Sequence, residues 1–465
     1  MFNKPPTAVS MPQPQRLLPL LTTSLALLAY TLTLAPDYTW AYHSADSGDL
    51  ITAAYTLGIP HPPGYPTYVW LGYALAHQPF GSPIIAVRFH LLSAISLALA
   101  AGLLTAVAQH LLRDFPPRTQ LSASLTAGFL FAFTPLVWQQ AIVAEVYALN
   151  AALLTAVLWT TLTRKPAWLV GLLAGLSSTT HLTSLLMWPL IAALLPRRDW
   201  PQAGAGLLLG LAPWLSLFWL GQSDSPVVWG DPTTLSGWWW LVSATLYRPN
   251  LFAAQDVAAR LVGWWWLWGM AALGLVAWRL APANQRRFVG LALSTAVLYL
   301  LYALGYAKPD ALVLTLPALL LLNSCLAFLW TKGKNTAVLL PLILLALNWS
   351  PSPLTQSAQQ PSPRQQVQAT LPNLPPKAIV LTSGGDQTIF ALWYFQHVEG
   401  WRPDLIIVDT DLFAFDWYRQ RIQQRYPQLK ALAEDDLPGF SDANQPDHPI
   451  CTLTLTPEAT AVCLP

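Results

Sequence analysis

Two carboxylates, a histidine and a tyrosine share one short polar stretch, Asp46–Pro66, which reads DSGDLITAAYTLGIPHPPGYP. Asp46 and Asp49 stand three residues apart, His61 lies between prolines, and Tyr65 closes a His-Pro-Pro-Gly-Tyr-Pro turn. Carboxylate and imidazole are the groups that most often accept and donate protons in a reaction. Proline stiffens the backbone that carries them and glycine lets it turn tightly, and a preorganised site needs that stiffness. Crossing a membrane requires none of these residues.

The elements that must position this stretch are apolar. The chain has 465 residues, 54% of them hydrophobic and only 10% charged, against about 25% charged in soluble proteins. It reads as an α-helical polytopic membrane protein. Its 23 Trp and 41 Pro agree, since Trp gathers at membrane–water interfaces and Pro is tolerated in spanning helices. A net charge of +2, with no basic tract, zinc-finger spacing or aromatic–basic interleaving, excludes a nucleic-acid binder.

Residues 1–16 form a polar, Pro-rich tail, and Leu17–Ala35 is long enough to be a retained first membrane helix rather than a signal peptide. Further spans are expected at Phe89–Leu112, Leu121–Trp138, Ile142–Thr163, Ala203–Leu220, Leu261–Trp278, Phe288–Tyr306, Leu312–Trp330 and Ala337–Asn348. Ala167–Leu195 is interrupted at Ser177-Ser-Thr-Thr-His181 and reads as two short helices meeting at a polar turn, which makes about eleven segments. With the N-terminus cytoplasmic, thirteen Lys and Arg between Lys4 and Lys334 fall inside. Four (Arg88, Arg248, Arg260, Lys308) fall outside or at that edge, as the positive-inside rule asks. Merging the hairpin into one helix would invert every later loop. The same alternation sends the Asp46 stretch, Glu145-Val-Tyr147, His181, Trp229-Gly-Asp-Pro232 and Arg248 to the outer face of the plasma (inner) membrane. Ionisable groups at a membrane edge are costly and mark function.

Residues 350–376 turn to Pro, Gln and Ser and read as a linker between the 17–349 membrane domain and a small soluble α/β domain, 377–465, on the outer side. In it, Ala378–Thr382 and Leu405–Val408 read as parallel strands around a helix at Thr388–His397. Cys325 is a packing residue in an apolar span, whereas Cys451 and Cys463 lie where oxidising conditions allow a bridge. Asp409-Thr-Asp411 after the second strand has the look of a metal-binding Asp-x-Asp, but carboxylates at strand ends are ordinary. The Gly384-Gly385-Asp386 turn is capable of holding an anion at a helix start but lacks a full phosphate-loop pattern.

Taken in order, Asp46-Ser-Gly-Asp49, Gly58-Ile-Pro-His-Pro-Pro-Gly-Tyr-Pro66, Trp138 with Ala144-Glu-Val-Tyr-Ala148, Gly175-Leu-Ser with Thr180-His181, and Trp229-Gly-Asp-Pro232 make a series of motifs. The series resembles the protein O-mannosyltransferase-like family of multi-spanning membrane proteins. The resemblance implies a GT-C glycosyltransferase fold, a polyprenyl-phosphate sugar as donor, a protein or glycan hydroxyl as acceptor, and neither metal nor other cofactor. It also implies that Asp46 is the general base, because an attacking hydroxyl must lose its proton, with Asp49 as helper. The plainer role for both is to cap the helix that follows. His61, Tyr65, Glu145, Tyr147, His181, Asp231 and Arg248 are the matching candidates for the donor phosphate and substrate, with Arg88 as a further cation. Against these stand structural roles: His61 bracing its turn, Glu145 favoured by a helix start, His181 bonded to threonine hydroxyls and Arg88 snorkelling. The Trp238–Trp240 and Trp264–Trp266 runs are interfacial anchors first. A transporter or lipid flippase is the rival class, but its ligand would sit between broken helices at mid-membrane. Here the polar groups gather at one face.

Overall fold

The computed structural model describes residues 17–331, 362–455 and 459–464. The tail 1–16, the expected span Ala337–Asn348 and the first part of the expected linker lie outside these residues. The protein is built mainly from apolar helices. Among the described residues four are long and apolar enough to cross a membrane: Ile85–Leu111, Arg197–Leu220, Ala283–Gly305 and Ala311–Thr331. Two more candidates are bent pairs, Pro117–Phe133 with Pro135–Ala141 (63°) and Val257–Gly263 with Trp265–Leu280 (66°). The first bend falls where Pro135 follows Thr134, as the backbone before proline resists the helical region. Leu18–Leu32, Val146–Leu162, Ala167–Thr180 and Leu182–Leu194 are shorter apolar helices.

The polar break at His181 is real, and the chain turns back there. His181 is extended (φ −159°, ψ 131°) between the Ala167–Thr180 helix and the Leu182–Met187 turn. The returning segment ends beside its own start, where Arg164 Nη1 donates to Leu194 O at 3.3 Å. Helices Ala167–Thr180 and Trp200–Leu211 then run side by side in the same direction. Their contact is made by Gly171, Gly175, Gly206 and Gly210, two pairs each spaced by four. A Cβ on Gly171 would meet Ala203 O at 1.8 Å, and one on Gly206 would meet Trp168 O at 1.9 Å. Small residues at this spacing let helix backbones touch, which is the main packing device between apolar helices in lipid.

Residues 362–464 do not stand apart from the membrane helices. The second half of the expected linker is a helix, Pro363–Thr370, started by a capping box in which Ser362 and Gln365 bond each other's backbone. Strands β1 (Ile379–Thr382), β2 (Ile406–Asp409), β3 (Ile450–Thr454) and β4 (Thr460–Cys463) form a sheet of order β2-β1-β3-β4. β1 pairs in parallel with β2 and β3, and β3 pairs antiparallel with β4, across which Cys451 and Cys463 are bonded. The apolar face of this unit shares one core with Ser47–Thr56, Pro66–Ala76 and the 227–242 segment. Arg364 bridges Asp37 and Glu399, and Tyr38 stacks on Tyr394 at 4.9 Å. The Asp386–Trp393 helix lies against Ser47–Thr56 so closely that a Cβ on Gly48 would sit 2.3 Å from Phe390 O.

Candidate active site

The helix Ser47–Thr56 begins directly at the polar stretch, with Asp46 at its N-cap and Asp49 in its first turn. Asp46 makes no side-chain bond to that helix, so its carboxylate is not spent on capping. Asp49 is turned the other way and is fully buried. Its Oδ2 accepts from the His61 backbone N–H at 2.8 Å and pairs with His61 Nδ1 at 2.6 Å, while its Oδ1 accepts from Trp229 Nε1 at 3.0 Å. The imidazole is thereby fixed with Nε2 facing Tyr65 Oη at 3.0 Å and Asp46 Oδ2 at 3.6 Å.

The chain reaches this arrangement by two backbone devices. Leu57 ends the helix in the left-handed region, and Gly58 passes so near Val227 O that a Cβ would lie 2.1 Å from it. Ile59 can then form an isolated parallel bridge with the 227–229 segment, Ile59 N donating to Val227 O and Trp229 N to Ile59 O, which delivers the Trp229 indole to Asp49. After Pro62 and Pro63, Gly64 (φ +84°) and Tyr65 (φ +41°) turn the chain into the Pro66–Ala76 helix and aim the phenol back at His61. Ser47 Oγ donates to Ala144 O at 2.7 Å, holding the 142–145 segment alongside.

These groups line a cavity of about 560 Å³. Of the ten residues expected from the sequence, Asp46, His61, Tyr65, Tyr147, His181 and Arg248 face it directly. Asp49 stands behind His61. Glu145, the N-cap of Val146–Leu162, is buried close by with Oε1 lacking a hydrogen-bond partner among the described residues. His181 Nδ1 lies 2.8 Å from Thr183 Oγ1 and 3.3 Å from the Thr183 backbone N, and its ring lies 5.1 Å from that of Tyr147 and 6.1 Å from that of Tyr65. Arg248 donates to Ser243 Oγ at 2.8 Å and, among the described residues, meets no carboxylate.

Two expectations belong elsewhere. Arg88 donates to the carbonyls of Leu75, Ala76, Gln78 and Ser82, closing the open C-terminal end of the Pro66–Ala76 helix. Asp231 accepts from Thr233 in the turn that leads into Leu235–Val242. Neither lines the cavity. Asp409, the rival acid, is buried and saturated: it accepts from Thr382 Oγ1 at 2.6 Å and from the N–H groups of Asp411 (3.1 Å) and Leu412 (2.9 Å).

The cavity also holds Tyr247, Tyr302, Tyr306, Lys308 and Asp310, which no motif flags, and Gly384 and Asp386 of the Gly384-Gly385-Asp386 turn. Lys308 places its ammonium 5.9 Å from the centre of the Tyr247 ring and, among the described residues, forms no ion pair. The charge count places Lys308 at the outer side or its edge, but nothing in the sequence ties it to Arg248. Electrostatics divide the cavity. Burial raises the Asp46 carboxyl to about 6, although the His61 charge pulls the other way. Its side chain keeps 32% exposure, so the cavity's contents moderate that burial. For His61, burial opposes the charged form, but Asp46 and then Asp49 outweigh it and hold the imidazolium up to about 9. Burial also pushes the Glu145 and Asp386 carboxyls up. At neutral pH the centre therefore carries an Asp46⁻–His61⁺ pair, with the imidazole bonded to Asp49 on its other side.

Residues 46–203 match the family model described as the Protein O-mannosyl-transferase TMEM260 N-terminal domain, and residues 363–434 match TMEM260-associated domain 2. The chain is similar to the TMEM260 protein O-mannosyl-transferases. It is 28% identical over 452 residues to the mouse Protein O-mannosyl-transferase TMEM260, covering 82% of this chain and 61% of the mouse protein, so it spans about three-fifths of that relative's length. The Dictyostelium discoideum protein of the same description is 24% identical over 241 residues, 45% of this chain and 28% of its own length. Among solved structures, ArnT from Cupriavidus metallidurans bound to undecaprenyl phosphate superposes with a TM-score of 0.62 at 14% identity, over 94% of this chain and 92% of ArnT. The apo form of ArnT gives the same TM-score at 13% identity. The fold is thus ArnT-like, and the apolar helices are those of an integral membrane protein. The first TMEM260 segment carries Asp46, Asp49, His61, Tyr65, Glu145, Tyr147 and His181, and the second carries Asp386. Arg248 and Lys308 come from the stretch between the two.

Proposed function

We propose that this protein is a membrane glycosyltransferase that moves a sugar, mannose in the simplest case, from a polyprenyl-phosphate carrier to a hydroxyl of a protein or glycan acceptor. One observation carries the reading: an uncapped carboxylate, Asp46, shares a cavity with two cations, Arg248 and Lys308, that have no carboxylate partner among the described residues. Unpaired cations beside a tyrosine suit a phosphate ester, whose charge rises as it leaves. ArnT's capture with undecaprenyl phosphate on the same fold supports a lipid phosphate as that group.

In this reaction the acceptor O–H gives its proton to Asp46 while its oxygen attacks the anomeric carbon of the donor. The bond from that carbon to the phosphate oxygen breaks, and its electron pair leaves on the lipid phosphate beside Lys308 and Arg248. A carboxyl held at about 6 is ionised at pH 7 yet binds a proton more tightly than an ordinary aspartate, which favours a general base. His61, locked by Asp49, positions Asp46 and offsets its charge. The cavity opens outward under an eleven-segment topology with the N-terminus cytoplasmic, as the reversal at His181 supports. The test is incubation of the purified protein with polyprenyl-phosphate sugars and mass spectrometry of the lipid fraction. Loss of the lipid-linked sugar supports the reading. An intact donor pool with every carrier sugar and acceptor tried would overturn it.

A further inference from the structure

A second cavity, of about 390 Å³, lies between the 223–229 loop and the 393–426 part of the C-terminal unit. Its size is that of a small-molecule site. It differs from the first cavity in kind. The indoles of Trp229 and Trp393 form buried walls, and Trp417 and Tyr426 present partly exposed rings. Polar groups stand at its edges: Asp224 and Arg425, neither of them ion-paired among the described residues, together with Gln424. The Arg425 guanidinium lies over the Tyr426 ring at 6.0 Å, a planar donor on an aromatic plate.

Flat apolar walls with planar hydrogen-bonding groups around them match a pyranose ring, which shows C–H groups on its faces and hydroxyls on its rim. A phosphate or other strong anion fits it less well: the Asp224 carboxylate stands at the same rim, and Arg421, the second arginine of the lining, is held by the Gly221 carbonyl. A lipid chain would have no use for the polar edges. We infer that this second cavity is a saccharide-binding site, holding a sugar of the acceptor while the first cavity holds the donor.

The two cavities are mechanically joined. Trp229 is the partition: its Nε1 holds Asp49, its ring lies 6.2 Å from that of His61 on one side, and it lies 5.8 Å from that of Trp417 on the other. The Asp386–Trp393 helix is a second shared wall, with Asp386 lining the first cavity and Trp393 the second. A sugar against Trp229 therefore presses on the group that orients Asp49 and His61. The acceptor role rests on the transferase reading, but saccharide binding does not.

The test is saturation-transfer difference NMR on the full-length detergent-solubilised protein, with methyl glycosides of mannose, glucose, galactose and N-acetylglucosamine as probes. At least one should give a saturable signal that is lost in Trp417→Ala and reduced several-fold in Arg425→Ala, a change at an exposed residue that leaves the fold intact. Asp46→Asn should keep the signal, which separates this site from the donor cavity. No saturable signal with any probe would overturn the inference, as would a signal that survives Arg425→Ala and Trp417→Ala but disappears in Asp46→Asn. Binding at this site without any sugar transfer would uphold it while removing the transferase reading.

Discussion

Replacing Asp49 by Asn tests whether the centre is built as the geometry implies. Asp49 accepts three hydrogen bonds on two oxygens, and an amide can keep only one of those oxygens. With the new NH₂ turned toward His61, it opposes the backbone N–H and crowds Nδ1. With it turned toward Trp229, it opposes one indole N–H. The second orientation costs less, and it still leaves a buried donor unpaired, about 1–3 kcal/mol, while weakening a charge-assisted bond by about 1 kcal/mol more. A loss of roughly 2–4 kcal/mol in stability follows. The imidazole also loses its anchor. A misplacement on the order of 1 Å near the chemistry can cost about 10²-fold, so transfer should fall by roughly 10- to 100-fold with donor affinity nearly unchanged. Melting of the solubilised protein and initial rates of sugar transfer read the two effects. Unchanged melting and unchanged rate in Asp49→Asn would refute the idea that this carboxylate positions His61.

Asp46→Asn keeps size but removes the proton acceptor, so transfer should drop about 10²- to 10⁴-fold with melting nearly unchanged; normal turnover would return Asp46 to a structural role. Asp409→Asn, whose oxygens serve only local bonds, should leave transfer intact, and a large rate loss would move the chemistry to the sheet. Gly48→Ala should destabilise by about 1–3 kcal/mol, because its Cβ meets the Phe390 carbonyl rather than a movable side chain, and wild-type melting would show that the two helices are not docked. His61 has a folded pKa near 9 against an ordinary 6.5, so its stabilisation is complete below pH 6.5 and is lost as pH rises through 9. Melting temperature should therefore fall across that window and flatten in His61→Gln. Equal slopes in both would count against a charged His61.

Much of the site was legible because its backbone is unusual. Nothing in a spanning helix calls for His-Pro-Pro-Gly-Tyr-Pro, and the turn proves to be the device that aims His61 and Tyr65 at Asp46. The difference between the two aspartates was legible only in part. Either could have capped the helix, and only the side-chain directions show Asp49 held by three donors and Asp46 left open to the cavity. Arg88 was not legible, because an arginine outside a membrane helix looks the same whether it awaits a phosphate or closes a helix end, and here four carbonyls accept from it.

What the sequence hid was convergence across long separations. Lys308 and Tyr247 carry no motif, and their contact depends on the packing of helices far apart in the chain. The C-terminal strands could be read from their apolar runs, but where the unit docks could not. Its position is set by Gly48 giving way to Phe390, by Arg364 between Asp37 and Glu399, and by Arg421 reaching the Gly221 carbonyl. Gly48 thus serves neither as hinge nor as helix breaker: its missing side chain lets a second segment close over the Asp46 centre. Because that closure buries apolar surface from both segments in a single core, displacing residues 362–464 would open the site and uncover its walls together. The membrane helices supply the acid centre and the cations, the C-terminal unit supplies the cover, and neither half encloses the cavity without the other.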